Sequence, residues 1–194
     1  MTRLCRWPQP LSWNACTLAV LLLAGCTKPP FDPSPVVPTT SPLPYSAKVK
    51  VSEIGRFEVD PGASLSTDPN LQNHVRRTAA TRDPTEWERA TVQYLTTRKT
   101  FKRVVQEGTA DLDLTLRIHL YIDPGLSRDF SHIYIAAISA TLSDPQTGRS
   151  LMSYSGFGKK AGDSNDDPAM EQALLAAYHD LFGKMEADKR LLSL

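Results

Sequence analysis

Ala110-Asp111-Leu112-Asp113-Leu114-Thr115-Leu116-Arg117-Ile118-His119-Leu120-Tyr121-Ile122 alternates apolar and polar residues without a break. Successive side chains of an extended chain point to opposite faces, so this period of two describes a long strand with one buried and one wet face. A sheet built on such a strand is covered on one side only. A partner strand follows from about Ile133 to Ser143, with Ile138, Ala140 and Leu142 inward. The loop Asp123 to Ser131, opened by Pro124-Gly125, joins the two. Asp144-Pro145-Gln146-Thr147-Gly148 is a turn, because proline fixes φ and glycine tolerates positive φ. Leu151 to Phe157 then returns as a third strand of an antiparallel meander.

Upstream, Ala47, Val49 and Val51 alternate with lysines and mark an earlier strand within Ala47 to Val59, whose far half is irregular. Phe101 to Val105 reads as a short strand. One helix begins at Asp83-Pro84, an acidic cap followed by proline at the first helical position. Its stripe is Trp87, Ala90, Thr91, Tyr94 and Leu95. A second begins at Asp167-Pro168 and carries Met170, Ala173, Leu174, Ala177, Tyr178, Leu181, Phe182 and Met185 on a wide apolar face. The expected fold is α+β, a two-layer sandwich of a mainly antiparallel sheet of about four or five strands with both helices on one face. The open face is polar, and Asp111, Asp113, Arg117 and His119 are the candidate partner-facing residues on it. Residues 66–82, with Leu71, Val75 and Arg76-Arg77, read equally as a short helix, an ordered excursion or a flexible loop.

The N-terminus is of another kind. Arg3 and Arg6 precede an apolar run from Ala15 to Leu23. That run is short of the about 20 residues a membrane-crossing helix needs. Leu23-Ala24-Gly25-Cys26 closes it and resembles the lipobox of bacterial lipoproteins. The resemblance implies a diacylglycerol on the Cys26 sulfur, removal of residues 1–25 as a signal peptide, and acylation of the new amino group. An ordinary cleaved signal or a buried cysteine is the alternative. Cys5 and Cys16 would leave with the signal, so a lipidated Cys26 leaves no thiol for a disulfide, and stability must come from a packed core. Arg3 and Arg6 leave too, so 20 Lys+Arg face 21 Asp+Glu, a net charge of −1. That balance offers no global field for nucleic acid. One acyl chain binds a membrane marginally, whereas two or more anchor it.

Residues 26–46 then read as the lipidated cysteine and a proline-rich tether, followed by a single periplasmic domain over 47–194. Pro29, Pro30, Pro33, Pro35, Pro38, Pro42 and Pro44 favour an extended polyproline-like state. Such a spacer reaches roughly 60 Å at about 3.1 Å per residue. A proline-rich docking ligand is the alternative, with Val, Thr and Ser breaking up the prolines.

Catalytic and metal signatures are sparse. There are no paired cysteines after the signal, no His-Glu-x-x-His helix, no P-loop and no Gly-x-Ser-x-Gly elbow. His74, His119, His132 and His179 have no metal-ligand spacing. Ser127-Arg128-Asp129-Phe130-Ser131-His132 holds a nucleophile, an acid and a base. Triad members usually come from separate elements, so a hairpin loop is the simpler reading. Gly156, Gly158 and Gly162 read as a frayed strand end and linker, since Asp163, Asp166 and Asp167 would repel a phosphate. Arg76-Arg77, Arg98-Lys99 and Lys102-Arg103 form either a solvated helix rim or a patch for anionic lipid. No cofactor is expected.

Thr100 to Val104, Ala110 to Leu114 and Asp144 to Leu151 together resemble the core of small envelope lipoproteins. These include lipopolysaccharide-assembly and curli-secretion lipoproteins, activators of penicillin-binding proteins, and auxiliary lipoproteins of ABC-type transport systems. The resemblance implies a non-enzymatic accessory subunit that binds a protein partner in the cell envelope, tied to the membrane by lipid on Cys26. Thr27 follows the lipid site in place of the aspartate that signals inner-membrane retention in enteric bacteria, which implies the periplasmic face of the outer membrane. An amphiphile carrier and a lipid-anchored hydrolase are the competing classes.

Overall fold

The computed structural model describes residues 30–32, 36–59, 75–77, 83–123, 132–163 and 167–194. Cys26 and the segment before it, residues 66–74 and 78–82, and the Ser127–Ser131 part of the polar loop lie outside them. The strands are β1 (Leu43–Val59), β2 (Val75–Arg77), β3 (Phe101–Val105), β4 (Leu112–Asp123), β5 (His132–Ser143) and β6 (Ser150–Gly162). The helices are α1 (Pro84–Arg98) between β2 and β3, and α2 (Asp167–Ala187) after β6, with a 3-10 turn at Lys189–Ser193.

The fold is α+β in two layers. β4 lies at the centre of the sheet, with β5 and then β6 antiparallel on one side, as the alternating pattern and the turn at Asp144 require. On its other side β4 pairs in parallel with β1. The outer edge of β1 is shared: β3 runs parallel along its first half and β2 antiparallel at its far end. The sheet is therefore mixed. The parallel pairings arise because α1 returns the chain to the start of β1, as a crossover between parallel strands must.

The buried face is the one the alternation marks. Leu112, Leu114, Leu116, Ile118 and Leu120 are all at most 4% exposed, and Ala47, Val49, Val51, Ile138, Ala140 and Leu142 flank them. α1 covers the β1–β3 side and α2 covers β5 and β6. Both helices start where the sequence places them, and the Asp83 carboxylate accepts from the Thr85 N–H at 2.9 Å as the cap of α1. Tyr94, Tyr178 and Phe182 form an aromatic cluster between the helices, with ring centroids 5.0 to 5.9 Å apart. Inside it the Thr91 hydroxyl donates to the Trp87 carbonyl at 2.7 Å and lies 2.7 Å from the Tyr178 hydroxyl.

Three features depart from the sequence reading. First, β6 runs through Gly162, so Gly156 and Gly158 lie within a strand and not in a frayed end. Both are buried beneath α2, where a Cβ at Gly156 would overlap the Ala177 carbonyl oxygen and one at Gly158 the Ala173 carbonyl oxygen. Their lack of a side chain lets helix backbone rest on strand backbone.

Second, Arg98 is not a solvated rim cation. Its side chain and that of Glu186 are each 8% exposed, joined by Nε–Oε1 at 2.9 Å and Nη2–Oε2 at 2.8 Å. The Thr100 hydroxyl donates to the same Glu186 Oε1 at 2.8 Å.

Third, the proline-rich stretch is no free spacer over its described residues. Phe31 is 1% exposed, with its ring centroid 5.0 Å from that of Tyr178 and 6.3 Å from that of Tyr94. Thr39 N–H donates to the Arg98 carbonyl at 2.7 Å, Leu43 N–H donates to the Thr100 carbonyl at 2.8 Å, and β1 already begins at Leu43. Proline supplies no backbone donor, but the residues between the prolines do, and they tie the strap down.

Candidate functional site

The face of the sheet turned away from the helices carries the candidate site. A bulge in β1 builds it. Val51 pairs with Leu116 but Glu53 pairs with Arg117, so Ser52 is the extra residue. A one-residue insertion reverses which side chains face inward. Before the bulge Ala47, Val49 and Val51 point to the core; after it Ile54 does, while Glu53, Gly55 and Phe57 join the outer face beside Arg117, His119 and Tyr121.

Glu53 is the hub of this face. Its Oε2 accepts from Arg117 Nε at 2.9 Å and Nη2 at 2.7 Å, and its Oε1 lies 3.3 Å from His119 Nε2. That imidazole nitrogen is shielded from solvent and lacks a well-aligned hydrogen bond. The Arg117 guanidinium holds the Glu53 carboxyl below the usual range, with a smaller contribution from His119. Phe57 stacks on Tyr121 at 5.2 Å and 23°, and meets His119 edge-on at 5.3 Å. Burial, and then Glu53, push the Tyr121 phenol up. Gly55 makes room for this, because a Cβ there would overlap the Phe57 ring. An arginine with an open side chain (59% exposed) thus shares one face of the sheet with a stacked aromatic pair. Arginine and aromatic residues together are the composition of protein-binding hot spots.

The four residues singled out from the sequence separate. Arg117 and His119 come together through Glu53. Asp113 lies further along the same face, in register with Lys48 and Ser143. Asp111 precedes β4 and is engaged within the fold: its Oδ2 accepts from both the N–H and the hydroxyl of Ser46 at 2.7 Å. Those two bonds hold its carboxyl below the usual range. Glu53, Phe57 and Tyr121 were not among the candidates. Their signal was the spacing Val51-Ser52-Glu53-Ile54, where two polar residues separate two inward apolar ones.

Several carboxyls share the direction of Glu53 and Asp111. Asp144 is lowered chiefly by the Thr147 N–H, Asp180 by Lys184, and Asp188 by Arg190. Folded, each gives up its proton at a lower pH than in the unfolded chain. As pH falls, the unfolded chain takes up protons first, so this stability is present above about pH 4 and is lost as pH drops through the depressed values. A urea midpoint that holds level from pH 8 to about 5 and falls between about 4 and 2 is expected. A midpoint that rises on acidification would contradict these assignments.

Other candidates fall elsewhere. His132 opens β5 with its ring centroid 6.4 Å from that of Tyr134, and His179 is exposed on α2. Among the described residues no group of three His, Cys, Asp or Glu is placed to hold a metal, and no helix is long and apolar enough to cross a membrane. A cleft of about 240 Å³ lies on the helical layer, lined by Val36, Val37, Tyr94, Arg98, Leu175, Ala176 and His179.

No protein-family model matches the sequence. No curated protein matches it either. Solved structures do resemble the fold. A Xanthomonas campestris protein of the DUF330 family superposes with a TM-score of 0.52 at 14% identity, covering 78% of this chain and 94% of its own. A homologue of neuraminyllactose-binding hemagglutinin from Helicobacter pylori gives 0.44 at 14% identity, over 81% of this chain and 88% of its own. A lipoprotein from Neisseria meningitidis gives 0.29 at 14% identity, over 70% and 95%. The first of these likenesses shows a shared fold and nothing finer.

Proposed function

We propose that this chain is a bacterial lipoprotein, anchored by lipid on Cys26 at the periplasmic face of the outer membrane. There it serves as a non-catalytic accessory subunit of an envelope transport or assembly system. The observation that carries the reading is the asymmetry of the sheet. One face is sealed by two helices, and the other leaves Glu53, Arg117 and His119 beside Phe57 and Tyr121 with no element of the described fold laid over them. The run Leu23-Ala24-Gly25-Cys26 supports the anchor. The two layers are closely packed, with Leu114, Leu116 and Ile118 of the sheet and Leu174 and Leu181 of α2 each at most 1% exposed, which favours binding at the surface over carriage of an amphiphile inside.

A photo-crosslinking residue at Thr115, on the open face of β4, should give one discrete adduct in cells, and one at Gln172 on α2 should not. Arg117→Glu should reduce that adduct by at least about tenfold, equivalent to about 1.4 kcal/mol of binding. Equal adducts from both positions, or no effect of Arg117→Glu, would count against the sheet face as the docking surface.

A further inference from the structure

We infer that Phe31 is a latch that sets which side of the domain rests on the membrane, on the reading that Cys26 carries the lipid. Only residues 27–30 separate Cys26 from Phe31. Even fully extended, that chain reaches roughly 18 Å from one Cα to the other. Phe31 is seated between Tyr94 of α1 and Tyr178 of α2, and the Asp32 N–H beside it donates to the Glu171 carboxylate on α2. From there the strap follows the side of the helices turned away from the sheet, since Val36 and Val37 line the cleft with Ala176 and His179, both exposed.

The helical layer is about 10 Å thick and the sheet with its side chains adds about as much. A chain of roughly 18 Å starting on the outer side of the helices cannot pass around both layers. The bilayer therefore meets the helical side, and the Glu53–Arg117–His119 face is held away from it, toward the periplasm. The surface on that side is mixed in charge: Arg89 on α1 and Lys99 just after it are exposed, and so are Asp32 on the strap and Asp167 at the start of α2. The length of the tether, not surface charge, therefore sets the orientation.

The test uses the processed, lipidated full chain in phosphatidylethanolamine/phosphatidylglycerol vesicles containing an acceptor-labelled lipid. A donor dye is placed on Ala176→Cys, on the helical side, or on Ser139→Cys, on the open face of β5. Energy transfer from position 176 should exceed that from position 139 by at least about twofold, given the roughly 20 Å between the two surfaces. Phe31→Ser should abolish the difference. So should an insert of about twelve Gly/Ser residues between Thr27 and Lys28, which leaves Phe31 in place and adds roughly 20 Å of reach. Floated protein with equal transfer from the two positions overturns the latch while leaving the anchor standing. A difference that survives the insert does so too. Protein that fails to float overturns the anchor itself, and the latch with it.

Discussion

Gly158→Ala lowers the stability of the domain by about 3 kcal/mol or more, the upper range for overpacking, because the clash is with backbone. A methyl group at Gly158 would overlap the Ala173 carbonyl oxygen and sit 2.6 Å from the Ala177 amide nitrogen. No rotamer change relieves such contacts. α2 must lift from β6, and with it Ala173, Leu174, Ala177 and Tyr178, all at most 1% exposed, lose part of their packing. A domain of this size holds about 5–15 kcal/mol in total, so the variant should unfold at a visibly lower urea concentration. Lys159→Ala, one residue on and exposed, should stay within about 0.5 kcal/mol of the parent. If Gly158→Ala behaves like Lys159→Ala, the backbone contact between α2 and β6 is absent.

Arg98→Ala should cost about 3–5 kcal/mol, because it strands the Glu186 carboxylate in a site that water scarcely reaches. Two nearly parallel Arg98 bonds and the Thr100 hydroxyl satisfy that carboxylate, and the Arg98 carbonyl also receives the Thr39 N–H of the strap. The pair joins the C-terminal ends of both helices to the start of β3. Replacing both partners, as Arg98→Met with Glu186→Leu, removes the desolvation cost together with the attraction and should restore most of the loss. Denaturant midpoints of the two single variants and the double variant close the cycle. Additive losses would mean the two side chains do not act as a buried pair.

Much of this architecture can be read without coordinates, and the reasons are local. Strict alternation over β4 leaves no other buried face, and Asp-Pro punctuation marks the first turn of both helices. The turn at Asp144 was equally explicit: Asp144 Oδ1 accepts from Gln146 and Thr147 N–H at 2.8 and 2.9 Å, and Gly148 has φ of 67°. What stayed hidden depends on contacts distant in sequence. Glu53 meets Arg117 only because one extra residue at Ser52 changes the parity of β1. Arg98 looks like a surface cation until Glu186, far along the chain, folds onto it. Phe31 sits among prolines that read as a spacer, and only the tyrosines of two helices give it a socket. Gly156 and Gly158 resemble a loosening strand end because a sequence does not show that a helix lies across them.

Metabolic labelling with palmitate tests the lipid on Cys26 most directly. The parent chain should incorporate label and migrate as the processed form, whereas Cys26→Ser should accumulate as the unprocessed precursor with no label. Equal labelling of the two proteins, or a processed Cys26→Ser chain, would contradict the lipid anchor and remove the membrane from this picture.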